Sequence, residues 1–130
     1  MRFEVSFKEV QDFIATSYKI HVGIINLAID SIKINYFISL VLNVKEVKSD
    51  EITFQYKTNQ FYNLLIKGVH FFIKKKLEML PIAWDISTKE LVVDLKKIKD
   101  LELFLRLSSL SELHFKDDAL VVVVLLNAKS

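Results

Sequence analysis

The amino-acid sequence predicts a single α+β domain, in which a curved antiparallel sheet of about five to seven strands wraps one long helix, with a short helix at the N-terminus. Three observations support this fold class. The chain has 130 residues, 52% of them hydrophobic, with two glycines and one proline, which is typical of one globular domain covering residues 1–130. Several segments alternate apolar and polar residues, as strands do. One long segment without a helix breaker repeats its polar residues at helical spacing.

The first helix is predicted at residues 7–18. Ser6 and Glu9 have the spacing of a capping box, in which each side chain accepts a hydrogen bond from the backbone N–H of the other residue. Val10, Phe13 and Ile14 then fall on one helical face. This segment therefore carries both a start signal and an amphipathic pattern.

Strands follow the first helix. Apolar residues alternate with other residues over 25–29, and strict alternation continues from Ile32 to Val44. The second run predicts one long strand with a dry face that includes Leu40 and Leu42. Residues 48–51 predict a turn, and the alternation over 52–56 predicts the returning strand.

The long helix is predicted from Thr58 or Asn59 to Leu80, where Pro81 ends it. Its polar residues form one narrow stripe. The stripe consists of Gln60, Asn63, Lys67, His70, Lys74 and Glu78. Because nearly all the other residues are apolar, the apolar arc is wider than the ~100° that a surface helix ordinarily presents. We expect this helix to be covered on more than one side.

The last third of the chain predicts two hairpins. Residues 82–86 and 90–95 form the arms of the first, and residues 113–116 and 120–126 form the arms of the second, with Asp117-Asp118-Ala119 serving its turn. The final arm is apolar on both faces, so it is predicted to be central in its sheet or covered on both sides. Residues 96–110 fit a helix and a strand equally well, and both alternatives stay open.

Composition excludes or disfavours several classes of function. The absence of cysteine excludes disulfides, thiolate metal sites and thiol catalysis. Two isolated glycines do not build a phosphate-binding loop, and a formal net charge of +2 does not indicate a nucleic-acid partner. The longest apolar run has eight residues, whereas a membrane-spanning helix needs about 20. We therefore expect no transmembrane segment and a cytoplasmic location, or an exported chain whose leader has been removed.

No group of residues predicts an enzyme, a metal site or a cofactor. His21, His70 and His114 are far apart and lack the spacing of metal-binding motifs. Asp85 follows the single tryptophan, Trp84, and an apolar neighbour raises the pKa of a carboxyl group toward the range used in acid catalysis. No motif places a second catalytic group beside Asp85. The sequence therefore predicts a non-enzymatic protein.

Lysines are concentrated in one part of the chain. Eight lysines and four carboxylates lie between residues 67 and 99, which leaves a local excess of +4 that is strongest at Lys74, Lys75 and Lys76. Lysines in the last turns of a helix complement its macrodipole and keep an apolar surface soluble. They also suit the binding of anionic lipid headgroups beside an apolar helix. Both interpretations stay open.

The order of these elements ends in the strand sequence Phe-Lys-Asp-Asp-Ala-Leu-Val-Val-Val-Val at residues 115–124. The layout resembles that of small bacterial domains related to the tubular lipid-binding (TULIP) superfamily. In those proteins a strongly curved antiparallel sheet wraps a long helix and leaves an apolar groove. The resemblance spans most of the chain as element order and carries over no site residue. It implies a role in binding an apolar or lipid-like ligand.

Two functional hypotheses follow. In the first, the domain binds an apolar ligand between the long helix and the curved sheet. The predicted ligand-binding residues are Leu40, Leu42, Leu65, Val69, Phe72 and Ile73. In the second, a structural or interaction module uses its surplus apolar surface to form a homodimer or to dock another protein. An internal apolar cavity would favour the first hypothesis, and a stable dimer without a cavity would favour the second.

Overall fold

The computed structural model describes residues 1–36, 38–58 and 60–126. Within these residues the chain is an α+β protein. The three α-helices are α1 (Phe7–Tyr18), α2 (Gln60–Leu77) and α3 (Glu102–Leu107). The nine strands are β1 (Arg2–Ser6), β2 (Gly23–Ala28), β3 (Ser31–Asn35), β4 (Ser39–Val47), β5 (Glu51–Gln55), β6 (Ile82–Asp85), β7 (Glu90–Asp94), β8 (Ser108–Lys116) and β9 (Ala119–Leu126). Two short 3-10 turns, Leu95–Lys97 and Lys99–Leu101, precede α3.

The strands form two antiparallel sheets. One has six strands in the order β2-β3-β4-β5-β7-β6, and the other has three strands in the order β1-β9-β8. The predicted architecture, one curved sheet of five to seven strands wrapped around a long helix, is therefore wrong. The physical reason is a long-range pairing: β1 pairs with β9, joining the two ends of the described chain into a separate sheet. Local sequence patterns carry no information about such a pairing.

The long strand predicted from Ile32 to Val44 is also wrong, because the structure divides it into β3 and β4. Asn35 pairs with Ser39, so the chain reverses direction between these two residues. The register of the pair places even-numbered residues opposite even-numbered residues, and Ile32 pairs with Leu42. Both remain on the same dry face, so the alternation continues through the turn without a visible break.

One hydrophobic cluster joins both sheets and α2. Its buried members are Phe7, Ile32, Leu42, Ile52, Phe54, Tyr56, Ile66, Leu110, Phe115 and Val124. The six-stranded sheet contributes alternate residues of its central strands, which is the pattern of an antiparallel sheet with one dry face. Leu110, Phe115 and Val124 come from the three-stranded sheet, and Ile66 comes from α2. The small sheet and α2 thus share one core with the large sheet.

The prediction of the first helix is confirmed at Phe7–Tyr18. The backbone N–H of Glu9 donates to Ser6 Oγ at 3.0 Å, and the N–H of Ser6 donates to Glu9 Oε1 at 3.3 Å, which completes the capping box. The helix ends at Lys19, which has a left-handed backbone with φ of 57°. Strand β1, which ends at the capping serine, was not predicted from the sequence.

Both alternatives for residues 96–110 are partly correct. The segment is helical through Leu107 and becomes strand β8 at Ser108. The Ser108 hydroxyl donates to the carbonyl oxygen of Phe104 at 2.7 Å, which satisfies one of the free carbonyls at the helix end. The leucines suit either conformation, so the buried serine marks the boundary better than the hydrophobic pattern does.

The final hairpin is confirmed, and β9 is the central strand of its sheet, as its apolar pattern predicted. Val121 and Val124, which point to opposite faces of β9, both have 0% exposure. Asp117 occupies the turn with φ of 53°, a conformation that aspartate tolerates better than most residues. The hairpin formed by β6 and β7 is confirmed as well.

Candidate functional site

Helix α2 is shorter than predicted but begins and ends near the expected residues. At its N-terminal end the Thr58 hydroxyl donates to the side-chain oxygen of Asn63. The helix ends at Leu77, three residues before the predicted end at Leu80. The backbone N–H of Leu80 still donates to the carbonyl oxygen of Leu77 at 3.2 Å, so a turn fills the interval before Pro81.

One side of α2, its inner face, packs against the six-stranded sheet. Ile66 has 0% exposure and belongs to the core cluster, and Ile73, one helical repeat of seven residues later, has 8%. The Tyr62 hydroxyl donates to the backbone carbonyl oxygen of Ser39 at the start of β4. These contacts hold α2 in one orientation relative to the sheet.

An aromatic group extends the contact of the inner face with the sheet. The ring of His70 packs edge-on against Trp84 of β6, with ring centroids 5.3 Å apart. The Trp84 indole N–H donates to the hydroxyl of Tyr56 at 2.8 Å, and Tyr56 is only 1% exposed. His70 is therefore part of the packing between α2 and β6, although the sequence placed it in the polar stripe.

The opposite side of α2 is apolar and exposed to solvent. This outer face consists of Phe61, Leu64, Leu65, Gly68, Phe71 and Phe72, which recur at spacings of three, four and seven residues. The exposed fractions of the large side chains are 70% for Phe61, 69% for Leu64, 41% for Leu65, 82% for Phe71 and 80% for Phe72. The expectation that this helix is covered on more than one side is thus wrong within the described chain.

Gly68 lies in the middle of the outer face. A Cβ atom added there would meet no atom of the described residues within 4 Å, so none of their side chains explains the glycine. Glycine within a helix destabilises it by about 1 kcal/mol relative to alanine. The position therefore carries a cost in helix stability that packing among the residues described by the structure does not require.

Lysines surround the C-terminal end of the same helix. Lys74, Lys75 and Lys76 occupy its last turn and are all exposed. None of the three forms an ion pair with another residue that the structure describes. Their charge complements the negative end of the helix macrodipole and is available to an anionic partner.

The six predicted ligand-binding residues do not line one space. Leu42 and Ile73 are buried, Leu40 and Val69 are half-buried, and Leu65 and Phe72 are exposed on the outer face. Helical geometry separates Leu65 and Phe72 from Val69 and Ile73, because the first two belong to the outer arc and the last two to the inner one. The residues are thus divided between the two sides of α2.

Two clefts lie away from α2. The first, about 300 Å³, is lined by Ser49, Asp50, Lys96, Glu102, Leu105, Arg106, Ser108 and Ser109. The second, about 310 Å³, is lined by Lys99, Asp100, Glu102, Leu103 and Arg106. The charged groups of the first cleft pair with one another: Lys96 with Asp50 at 3.6 Å and Arg106 with Glu102 at 3.3 Å. These ion pairs occupy the charges that a polar ligand would use.

Asp85 has a structural role in the hairpin turn. Its carboxylate accepts hydrogen bonds from the Ser87 hydroxyl at 2.6 Å and from the backbone N–H groups of Ser87 and Thr88. These bonds, led by the Ser87 hydroxyl, lower the pKa of Asp85. The predicted raising effect of Trp84 is therefore wrong, because the donors of the turn stabilise the ionised form.

The histidines and carboxylates do not form a metal centre in the part of the chain that the structure describes, where no group of three such residues converges. Among the same residues, no helix combines the length and apolar character that crossing a bilayer requires.

The expectation of cover on more than one side applied to the whole apolar arc of α2, which includes Phe61, Phe71 and Phe72. The single polar stripe leaves one wide apolar arc on α2, and nothing in the periodicity indicates which part of that arc meets the sheet. Gly68 was the available signal, because a small residue distinguishes its part of the arc from the part around Ile66.

Comparisons of the chain with protein families, curated proteins and solved structures find no match. The resemblance to tubular lipid-binding domains therefore stays a prediction.

Proposed function

We propose that this chain is a non-enzymatic docking module that attaches to its partner through the outer face of α2. One observation carries the proposal: Phe61, Leu64 and Phe71 lie along one side of a helix and are 69–82% exposed. Contiguous exposed apolar surface marks interaction sites on soluble domains, because its removal from water favours association. This is the interaction module of the second hypothesis, with its surface now specified.

The anchoring of the inner face supports the same proposal. Ile66 is fully buried, and the contacts of Tyr62 with Ser39 and of His70 with Trp84 attach both halves of α2 to the sheet. A helix held in this way presents its outer side in one orientation. The partner therefore meets a preorganised surface, and association does not need to order the helix first.

An apolar ligand enclosed between α2 and the sheet has less support. The centre of the inner face is occupied by Ile66, which packs within the core cluster. Leu65 and Phe72, two of the predicted ligand residues, belong to the other side of the helix. The apolar binding chemistry inferred from the sequence is retained, but its location moves to the outer face.

The first experiment tests whether the outer face is free of a structural role. The double variant Leu64→Ser/Phe71→Ser is expected to change the free energy of unfolding by less than about 1 kcal/mol and to reduce the binding of a hydrophobic dye such as anilinonaphthalene sulfonate. Val41→Ser, at an exposed strand position, is the matched control and should leave dye binding unchanged. Urea unfolding and dye fluorescence measure the two effects. A large loss of stability in the double variant would refute the proposal.

The second experiment tests for docking itself. A photoreactive benzoyl-phenylalanine is placed at position 71 or, as a control, at position 41, and the chain is irradiated inside the cells that encode it. We expect an adduct from position 71 and none from position 41. Mass spectrometry then identifies the adduct as protein, lipid or a second copy. Absence of any adduct from position 71 would contradict docking through this face.

A further inference from the structure

We propose that the partner of the outer face is the surface of an anionic lipid bilayer, on which α2 lies in the plane of the headgroups. This inference rests on the proposed function and specifies its partner. The two sheets would lie on the side of α2 away from the bilayer, because the inner face of α2 packs against the six-stranded sheet.

The composition of α2 suits an interfacial helix. Phenylalanine and leucine supply the large side chains of the outer face, and its 18 residues extend about 27 Å. Helices of this kind bury their apolar side at the boundary between headgroups and acyl chains while lysines remain among the headgroups. Phe61 near the start and Phe71 in the second half are spaced to enter this boundary together.

The lysines lie where such a surface needs them. Helical geometry places Lys67 and Lys74 along one border of the outer face and Lys76 along the other border. Lys75, in the last turn, lies between these borders and extends the outer face. Their aliphatic stems reach past the apolar boundary to the phosphates, as lysines do at membrane surfaces. Helix α2 carries four lysines and no carboxylate, so its charge is complementary to anionic lipid.

A second copy of the chain is a poorer match in charge. If two α2 helices packed antiparallel through Gly68, Lys75 and Lys76 would approach the first turn of the partner helix, which contains no acidic residue. The positive end of the helix macrodipole lies at that same turn. If the helices packed in parallel, the two groups of lysines would face each other. In neither arrangement does α2 itself offer the lysines a negative partner.

Co-sedimentation of the full chain with lipid vesicles tests the inference. We expect binding to vesicles of phosphatidylcholine with phosphatidylserine, much weaker binding to phosphatidylcholine alone, and a decrease as salt rises. The triple variant Lys74→Gln/Lys75→Gln/Lys76→Gln should bind about a hundredfold more weakly. Lys8→Gln/Lys33→Gln/Lys116→Gln removes the same charge from other elements and should bind like the wild type. Unchanged binding by the first triple variant would overturn the proposal.

Two further variants distinguish insertion of apolar side chains into a bilayer from close packing against a helix of a partner protein. Leu64→Ser/Phe71→Ser should weaken vesicle binding by at least about tenfold, because two large side chains no longer enter the bilayer. Gly68→Ala should retain vesicle binding within about twofold, because a fluid surface accommodates one added methyl group. A close-packed helical partner would not accommodate that methyl group as readily, so loss of partner binding in Gly68→Ala would contradict a lipid surface.

The results distinguish a wrong partner from a wrong surface. A protein adduct from position 71 together with no vesicle binding would refute the lipid partner and leave docking through α2 intact. A concentration-dependent dimer that Leu64→Ser/Phe71→Ser abolishes, without vesicle binding, would point to a second copy and would also refute the lipid partner. Absence of both adducts and vesicle binding would refute the docking face itself.

Discussion

Strand β9 and helix α2 are the two segments whose sequences are apolar on more than one side, and the structure treats them differently. Val121 and Val124 of β9 are both fully buried. In α2, Ile66 is fully buried while Phe71 on the other side is 82% exposed. The comparison shows that a segment with apolar residues on more than one side is expected to have those residues buried. The sequence pattern does not indicate whether the same chain or a partner buries them.

The backbone accounts for the difference. A strand must pair its N–H and C=O groups with neighbouring strands, and β9 finds β1 on one edge and β8 on the other. A helix satisfies these groups internally, so only its side chains require cover. Leaving one side of α2 in water therefore leaves no backbone N–H or C=O group without a hydrogen bond inside the chain. If β9 were at the edge of its sheet, some of its backbone groups would lack a strand to pair with. The chain can keep an exposed apolar helix more readily than an exposed apolar strand.

The largest effect is expected from a charge placed in each segment. Val124→Asp buries a carboxylate without a partner and should cost about 5 kcal/mol or more, enough to prevent cooperative folding. Phe71→Asp puts the same group in water and should change stability by less than about 1 kcal/mol. Urea unfolding followed by circular dichroism measures both. Equal losses in the free energy of unfolding from the two substitutions would show that β9 and the outer face of α2 do not differ in burial.

The next effect separates the two sides of α2. Ile66→Ala removes a fully buried side chain from the core and should lower the free energy of unfolding by about 2–5 kcal/mol. Leu64→Ala, two residues away on the exposed outer face, is the matched control and should stay within about 0.5 kcal/mol of the wild type. Similar losses for the two variants would mean that both sides of the helix are packed.

A smaller effect concerns Tyr56, which accepts the hydrogen bond of the Trp84 indole. Tyr56→Phe leaves the Trp84 indole N–H without its acceptor and should cost about 1–3 kcal/mol. Burial is the main cause that raises the pKa of Tyr56 above 10.0, although the Trp84 hydrogen bond opposes it. Because the unfolded chain then ionises first, stability is complete below pH 10.0 and falls as pH rises above it.

Unfolding measured between pH 8 and 11 checks this dependence. The alkaline loss of stability should be smaller in Tyr56→Phe than in the wild type. Tyr18, whose pKa burial and Asp100 also raise, remains in both proteins and contributes equally to the two curves. Identical pH profiles would show that Tyr56 ionises as readily in the folded chain as in the unfolded one.

The smallest effect concerns Ser6, at the junction between β1 and α1. Ser6 ends β1, which pairs with β9, and also caps α1. Ser6→Ala should cost about 1 kcal/mol through loss of the capping box. Ser17→Ala, at an exposed position near the end of the same helix, should cost nothing measurable. If thermal unfolding showed no difference between these variants, the cap would contribute nothing to the folded chain.

Local features of the fold were predictable because their causes are local. The capping box of α1 needs only Ser6 and Glu9, and the turn at Asp117 needs only its neighbours. The pairing of β1 with β9 and the division of the 32–44 run were not predictable. The first depends on residues more than a hundred positions apart, and the second on a strand register that preserves the alternation.

For the candidate site, the sequence by itself determined that α2 is a helix with a narrow polar stripe, a wide apolar arc and lysines in its last turn. Tertiary structure alone decided which part of that arc faces the sheet. Periodicity relates the residues of a helix to one another, but not to a distant surface. Trp84 of β6 makes that choice: its indole N–H donates to Tyr56, its ring packs against His70 on one side of α2, and Phe71 is left exposed to solvent.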